Sequence, residues 1–387
     1  MEASLRVVEV PGRGLGTVAA RDLRAGEVVL VEPPLLVYSP QVTDEFCSYC
    51  LKVLPGGPEP IHTTLCSMCR QARFCDHGCL AAATADPGSH CPLVCKTLSC
   101  CNVSGLADED QKGSIHFLIR AASLFLQGNG NGTGNNEERA RCLMSLASPA
   151  NDAHDSGILV CKELHGRVER ALQTAGVPPD RVKDVFPLRV AMRLLGLEAM
   201  NAYGIPAPVT GTYDDRRIRG TAIYYQSSRI NHECLPNVAR CDDFDKDTFM
   251  RFVMLHDLPA GEEITQSYFP LGLSFVERQS RLREQYGFVC TCPRCVEEAC
   301  WEGATEGAEV TEHLNLRLAV NKTATPQSGV SEDLAPYIHV FLTKYVCPNP
   351  NDCGGTMVPE NSSGEDVKCS LCGWRQSHAQ FLAALED

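Results

Sequence analysis

Residues 229–238 read RINHECLPNV, from Arg229 to Val238. Asn231, His232, Cys234 and Asn237 fall close together there, with Pro236 among them. Proline removes a backbone donor and asparagine competes with the ladder through its own side chain, so the stretch suits a regular strand poorly. A surface turn would account for the polarity. It would not account for the crowding of metal-capable groups, and the rest of the chain has to decide.

The chain has 387 residues, 44% hydrophobic and 21% charged, enough for a substantial core spread over two or three modules. No segment resembles a membrane span. The opening MEASLRVVEVPGRG lacks a basic stretch followed by an apolar run, so no secretory signal is expected and the compartment is expected to be cytoplasmic, nuclear or both. The sequons at Asn131, Asn321 and Asn361 are then expected to stay unmodified. A net charge of −13 with scattered Lys and Arg repels phosphates, which argues against direct nucleic-acid binding.

In a reducing compartment, 22 cysteines point to metal rather than disulfides. Cys47 and Cys50, Cys66 and Cys69, Cys75 and Cys79, and Cys91 and Cys95 form four close pairs, the ligand complement of two tetrahedral zinc ions. YGFVCTCPRC supplies Cys290, Cys292 and Cys295, one thiolate short of a closed site. Cys234, inside the opening stretch, is the natural fourth ligand. Cys347, Cys353, Cys369 and Cys372 have the look of a zinc ribbon, with glycines after the second and fourth. Cys100, Cys101, Cys142, Cys161, Cys241 and Cys300 remain as small buried or inert thiols.

Between these sets the pattern changes. Residues 5–37 read as short strands broken by Gly and Pro, and residues 114–200 carry helical periodicity, interrupted by a loop GNGNGTGNNEE. Strand character returns at GTAIYY and TFMRFVML, and Ser274 with Glu277 forms a capping box. RDLRAGEVVLVE and HDLPAGEEITQSY share Asp-Leu-x-Ala-Gly-Glu before a strand, which suggests one β-rich domain carrying a large insertion.

The segments GRGLG, NHECLPN, GEEITQSY and YGFVCTCPRC occur in the order found in SET-domain protein lysine methyltransferases. The eight-cysteine module resembles a MYND zinc finger, so over residues 1 to about 300 the chain resembles the SMYD family. The resemblance implies an α+β fold: a β-rich SET domain with a pseudoknot, interrupted by the MYND finger and a helical insertion, then a post-SET zinc and a small zinc-ribbon-like region. The expected divisions are 1–45 for the N-terminal part of SET, 46–96 for the finger, 97–185 for the helical linker, 186–289 for the SET core, 290–300 for the post-SET segment and 301–387 for the C-terminal region. In the finger pattern Cys47, Cys50, Cys75 and Cys79 hold one zinc, and Cys66, Cys69, Cys91 and Cys95 the other. The family usually has His where Cys91 stands; Cys91 is the expected ligand, with His90 beside it as the alternative. Three zinc ions are expected from the finger and the post-SET set, and a fourth from the terminal set.

By the same resemblance Arg13, Gly14, Gly16, Asn201, Asn231, His232, Tyr268 and Phe288 contact S-adenosylmethionine, Tyr203 and Tyr286 line the substrate lysine channel, and Tyr268 is the catalytic residue. Leu15 replaces an asparagine common in the family. The implied activity is transfer of a methyl group to a lysine of a histone or non-histone protein by a monomeric, membrane-free enzyme. The alternative is a catalytically weak adaptor whose finger binds proline-containing peptides. Binding of S-adenosylmethionine separates the two, since an adaptor has no need of it.

Overall fold

The computed structural model describes residues 4–39, 45–54, 63–101, 106, 108–128, 135–149, 155–207, 218–243, 246–301, 334–349 and 353–386. The loop expected at 128–138 falls largely outside them, as do Asn131 and Asn321. Strands β1 (Leu5–Val10), β2 (Gly14–Ala19), β3 (Val28–Glu32) and β4 (Leu36–Tyr38) precede the finger, whose hairpin is β5 (Thr64–Leu65) and β6 (Arg73–Phe74). After the helices come β7 (Ala202–Pro206), β8 (Ile218–Ile223), β9 (Asn231–His232), β10 (Val238–Arg240), β11 (Met250–Met254) and β12 (Glu263–Gln266). The C-terminal region adds β13 (Met357–Pro359), β14 (Val367–Cys369) and β15 (Arg375–Gln376).

The repeated Asp-Leu-x-Ala-Gly-Glu motif explains how the β-rich half is tied together. Leu23 and Leu258 exchange both backbone hydrogen bonds, at 2.9 and 3.0 Å. Asp22 Oδ1 accepts from the Ala260 N–H and Asp257 Oδ1 from the Ala25 N–H, each at 2.9 Å. Gly26 and Gly261 both take positive φ, the conformation that glycine adopts without penalty. The two turns therefore pair with each other about a local two-fold relation. One lies before the finger and one within the SET core that follows it, so the insertion leaves from a closed platform.

Three sheets follow: β1-β2-β12-β9, β10-β11-β3 and β4-β8-β7. Their shared interior holds Leu23, Leu30, Ile205, Tyr224, Ile230, Phe252 and Ile264. The helical periodicity at 114–200 appears as helices Glu109–Gly128, Asn135–Met144, Asp155–Thr174, Pro179–Val185 and Leu188–Asn201. Their apolar faces bury Ile115, Phe117, Leu118, Leu164, Leu172, Leu194 and Leu197 together with Leu36 and Tyr38 of β4. This helical layer runs on to Asn201, beyond the expected division at 185, and shares a core with the sheet below it. Among the described residues no helix is long and apolar enough to cross a membrane.

The C-terminal region is not an appendage. Helix Leu334–Tyr345 and β13 place Phe341, Tyr345 and Val358 in a common core with Ala239, Val253 and Leu255, and the Tyr345 hydroxyl donates to Leu255 O at 2.7 Å. A Cβ on Gly26 would lie 2.7 Å from Asn361 O, so the ribbon seats directly on the first of the paired turns.

Glu198 couples the helices to β4. Its carboxyl accepts from the Tyr38 hydroxyl at 2.6 Å and the Ser114 hydroxyl at 2.9 Å. Burial pushes its pKa up to about 7 despite these bonds. The unfolded chain gives up this proton at lower pH than the folded one, so the contribution is full below the unfolded value of 4.5 and is lost as pH rises to about 7. Between about pH 5.5 and 8 the parent is expected to lose about 2 kcal/mol more stability than Glu198→Gln, read by denaturant unfolding. Parallel pH profiles for the two would remove this role.

Candidate functional site

The opening stretch lies at a crossing of strands. β9 runs parallel to β12, pairing Asn231 with Thr265 and His232 with Gln266. Beyond Pro236 the chain passes β12 again. Asn237 acts there as a substitute ladder: Oδ1 accepts from the Thr265 N–H and Nδ2 donates to Glu263 O, both at 2.8 Å. This is why an asparagine stands where a strand cannot. The preceding turn is held by buried Glu32, which accepts from the Gln226 N–H (2.7 Å), the Ser227 N–H (2.8 Å) and the Ser227 hydroxyl (2.7 Å). Gln266 Nε2 donates to Ser227 O and Ile230 O, each at 3.1 Å.

Cys234 meets Cys290, Cys292 and Cys295, with ligand atoms within 4.8 Å of one another, an arrangement compatible with tetrahedral zinc. Arg278, 1% exposed, donates through Nε to Cys234 Sγ at 3.3 Å and pairs with Glu298, which also takes Arg294 at 2.6 Å. His232 stands on the other side. Its Nδ1 accepts the Tyr268 N–H at 3.1 Å, and its Nε2 lies 3.2 Å from Cys234 Sγ. The accepting Nδ1 assigns the proton to Nε2, directed at the sulfur. Both ring nitrogens of His232 are thus engaged within the protein.

In the finger, Cys47, Cys50, Cys75 and Cys79 come together as expected, whereas the second group is Cys66, Cys69, His90 and Cys95. Cys91 is displaced by His90. Cys91 caps helix Pro92–Cys100 in extended conformation, and its sulfur points into the helical layer, 3.3 Å from Ser123 Oγ and 3.2 Å from Gln127 Nε2. His90 Nε2 lies 3.5 Å from Cys69 Sγ. The terminal set closes as expected from Cys347, Cys353, Cys369 and Cys372, and a Cβ on Gly355 would lie only 2.4 Å from Cys369 Sγ. Every donor set is soft and buried or nearly so, which fits Zn2+.

Three cavities converge on Tyr268. One of about 420 Å³ is lined by Arg13, Asn231, His232, Phe288 and the backbone path through Cys290–Pro293. A second, about 300 Å³, shares Arg13, Asn231, Tyr268 and Phe288 with it and adds Gly14, Leu15, Asn201 and Tyr286. A third, about 290 Å³, runs between β7 and β10 and is closed by Gly354, Thr356, Ser370 and Leu371 of the ribbon. Tyr268 lines all three. Its ring lies 4.7 Å from that of Tyr286 and 5.1 Å from that of His232. Burial, and then neighbouring Tyr286, push the Tyr268 phenol well above its ordinary value, so it stays protonated at neutral pH.

The remaining sequence candidates occupy different places. Arg13 pairs with Glu263 at 2.8 Å and donates to His232 O, and Asn231 Nδ2 donates to the same Glu263 at 2.8 Å. Gly16 lies behind the cavity wall, where a Cβ would come within 2.6 Å of Val10, 2.8 Å of Asn231 and 2.9 Å of Glu263. Asn201 reaches the second cavity with its Nδ2 already donating to Ala147 O (2.8 Å) and Leu197 O (2.7 Å). Tyr203 sits beneath the site, its hydroxyl donating to Ser227 O at 3.0 Å and accepting from Gln266 at 2.9 Å. Sequence reasoning missed Ser145, Ala147, Ser228 and Arg229 in the second cavity. No spacing rule marks the first two. Arg229 opens the stretch quoted first.

The metal geometry predicts four zinc ions per chain by elemental analysis of the folded protein. His90→Ala is expected to lose one, and Cys91→Ala to retain all four. The reverse pattern would restore Cys91 as the ligand.

A SET-domain profile matches residues 14–269 of the chain. The chain is 30% identical to the Arabidopsis thaliana protein "Histone-lysine N-methyltransferase ASHR2", over 96% of this chain and 95% of that one. It is 26% identical to human "Histone-lysine N-methyltransferase SMYD3", over 73% of this chain and 59% of that one. A Dictyostelium discoideum "SET and MYND domain-containing protein" is 24% identical over 70% of this chain and 77% of its own length. The matched domain and these relatives place the chain in the SET-domain family, in the group that carries an interposed MYND finger.

Proposed function

We propose that this protein transfers a methyl group from S-adenosylmethionine to the side-chain amine of a protein lysine. The observation that carries the reading is the position of Tyr268, with two joined cavities on one side and the groove between β7 and β10 on the other. The residues fit the cofactor: the joined cavities offer an aromatic face at Phe288, amide and backbone polar groups at Asn231 and His232, and cationic side chains further in. When bound there, S-adenosylmethionine supplies an electrophilic methyl group on a positively charged sulfonium.

The chain's own residues then orient and desolvate. An ordinary lysine has a pKa near 10.4, so presenting its neutral amine at pH 7 costs roughly 4 to 5 kcal/mol. An aromatic passage of Tyr268, Tyr286 and Phe269 lowers that cost by disfavouring the ammonium. The protonated Tyr268 hydroxyl, 3.5 Å from Ile230 O, is placed to orient the reacting groups rather than to take a proton. Holding two reactants in line is itself a large share of such a rate enhancement.

The groove has the form of a peptide site. β7 and β10 each stand at the edge of their sheet, so an extended segment bearing the lysine can add backbone hydrogen bonds there. We place a histone or non-histone substrate in it, with the ribbon as the outer wall. The chain is proposed to act as a monomer in the cytoplasm, the nucleus or both, without direct nucleic-acid contact, in keeping with its net charge of −13. Exposed Val53, Leu65 and Met68 on the finger favour one additional reading, docking of a proline-containing peptide.

Tyr268→Phe is expected to keep stability and to hold cofactor affinity within about tenfold, while methyl transfer falls by about a hundredfold or more. An equally active, equally stable Phe variant would contradict this role. Ser370→Glu, on the ribbon wall, is expected to raise KM for a protein substrate by about tenfold and to leave cofactor affinity unchanged. An unchanged KM would remove the ribbon from the substrate site.

A further inference from the structure

The second cavity contains a charge that no carboxylate among the described residues answers. Arg229 is 8% exposed and lines this cavity beside Leu15, Ser145 and Asn201. Its guanidinium carbon lies 3.7 Å from the Tyr225 ring centroid, so the group is stacked and held. Nη1 donates to Tyr225 O at 3.0 Å and Nη2 to Ser145 Oγ at 3.2 Å. A guanidinium has five N–H groups, and these contacts use two. Among the described residues no carboxylate pairs with Arg229. Arg13, the other cation of the cavity, is tied to Glu263 at 2.8 Å and Glu233 at 3.5 Å.

A buried cation without a counter-charge is costly to maintain, and truncating or adding a single charge partner has large effects in such places. The missing negative charge is therefore sought in what enters the cavity. S-adenosylmethionine carries one group of that chemistry, the carboxylate of its amino-acid arm. The first cavity, beside Phe288 and His232, accommodates the adenosine; the second opens from it past Arg13, Asn231 and Tyr268 and leads to Arg229. Leu15, 52% exposed at the mouth of the second cavity, brings no polar group to this task.

We propose that Arg229 is the carboxylate-recognition residue of the cofactor site, a positioning residue that fixes the amino-acid arm and with it the direction of the methyl group. Planar, multidentate donation to a carboxylate is the geometry for which arginine is suited and lysine is not. Because Nη2 also holds Ser145, the same side chain links the end of the helical layer to the turn before β9 when the arm is in place. The inference rests on the cofactor reading above.

The test compares binding of S-adenosylmethionine and its decarboxylated analogue by calorimetry, using the full chain with its metals. The parent is expected to prefer the carboxylate form on the order of ten- to a hundredfold. Arg229→Met is expected to abolish that preference while its affinity for the analogue stays within about threefold of the parent. Arg229→Lys is expected to retain only part of the preference. A parent that binds both ligands equally, or a folded Met variant that keeps the parental preference, overturns the assignment. If thermal unfolding shows that the Met variant does not fold, the Lys variant decides, and an undiminished preference there overturns it. A parent that binds neither ligand contradicts the cofactor site itself, and this assignment with it.

Discussion

Bringing Cys234 to the three cysteines of residues 290–295 is the constraint on which the site depends. Four thiolates around a divalent ion leave excess negative charge in a buried place, and such charge persists only when it is hydrogen-bonded and paired. Arg278 supplies both, contacting Cys234 while its guanidinium pairs with Glu298, and Arg294 completes that group. His232 adds a further donor to the same sulfur. These outer contacts fix the orientation of the ligands as much as the metal does.

Because the ligands come from separated parts of the chain, one centre sets two walls of the first cavity. β9 supplies Asn231 and His232, and the segment from Phe288 to Pro293 supplies the opposite side. The path from metal to Tyr268 is short: Cys234, then His232, then the Tyr268 backbone N–H. The far side of Tyr268 is built differently. There β7 and β10 are edge strands, and the groove is closed by a ribbon seated on the paired Asp-Leu-x-Ala-Gly-Glu turns. The first cavity is thus bounded by a cysteine cluster and the groove by packing of a terminal module, so on the proposed reading cofactor and substrate depend on different elements.

Much of this was legible in the sequence because cysteine spacing and turn chemistry are local signals. The cysteine pairs that build the ligand sets, the capping box at Ser274 and the kinship of the two turns all follow from short stretches of chain, while the grouping of the finger pairs comes from the family resemblance. What escaped depends on side-chain direction or on distant partners. Spacing alone does not say which of His90 and Cys91 faces the metal, since adjacent residues in an extended cap point to opposite sides. Gly16 reads as a cofactor contact but is required for the approach of Asn231 and Glu263. The wall formed by Ser145 and Ala147 comes from the end of a helix that carries no motif, and the docking of the ribbon rests on apolar residues spread over β10, β11 and helix Leu334–Tyr345.

The central claim is that one metal centre shapes the cofactor cavity. The direct measurement is the zinc content of Cys234→Ser together with its affinity for S-adenosylmethionine, made on a single folded preparation. The account predicts loss of one zinc ion and a weakening of cofactor binding by about tenfold or more, the scale at which metal-site disruption propagates to its surroundings. A variant that loses the ion and binds the cofactor as tightly as the parent would contradict it.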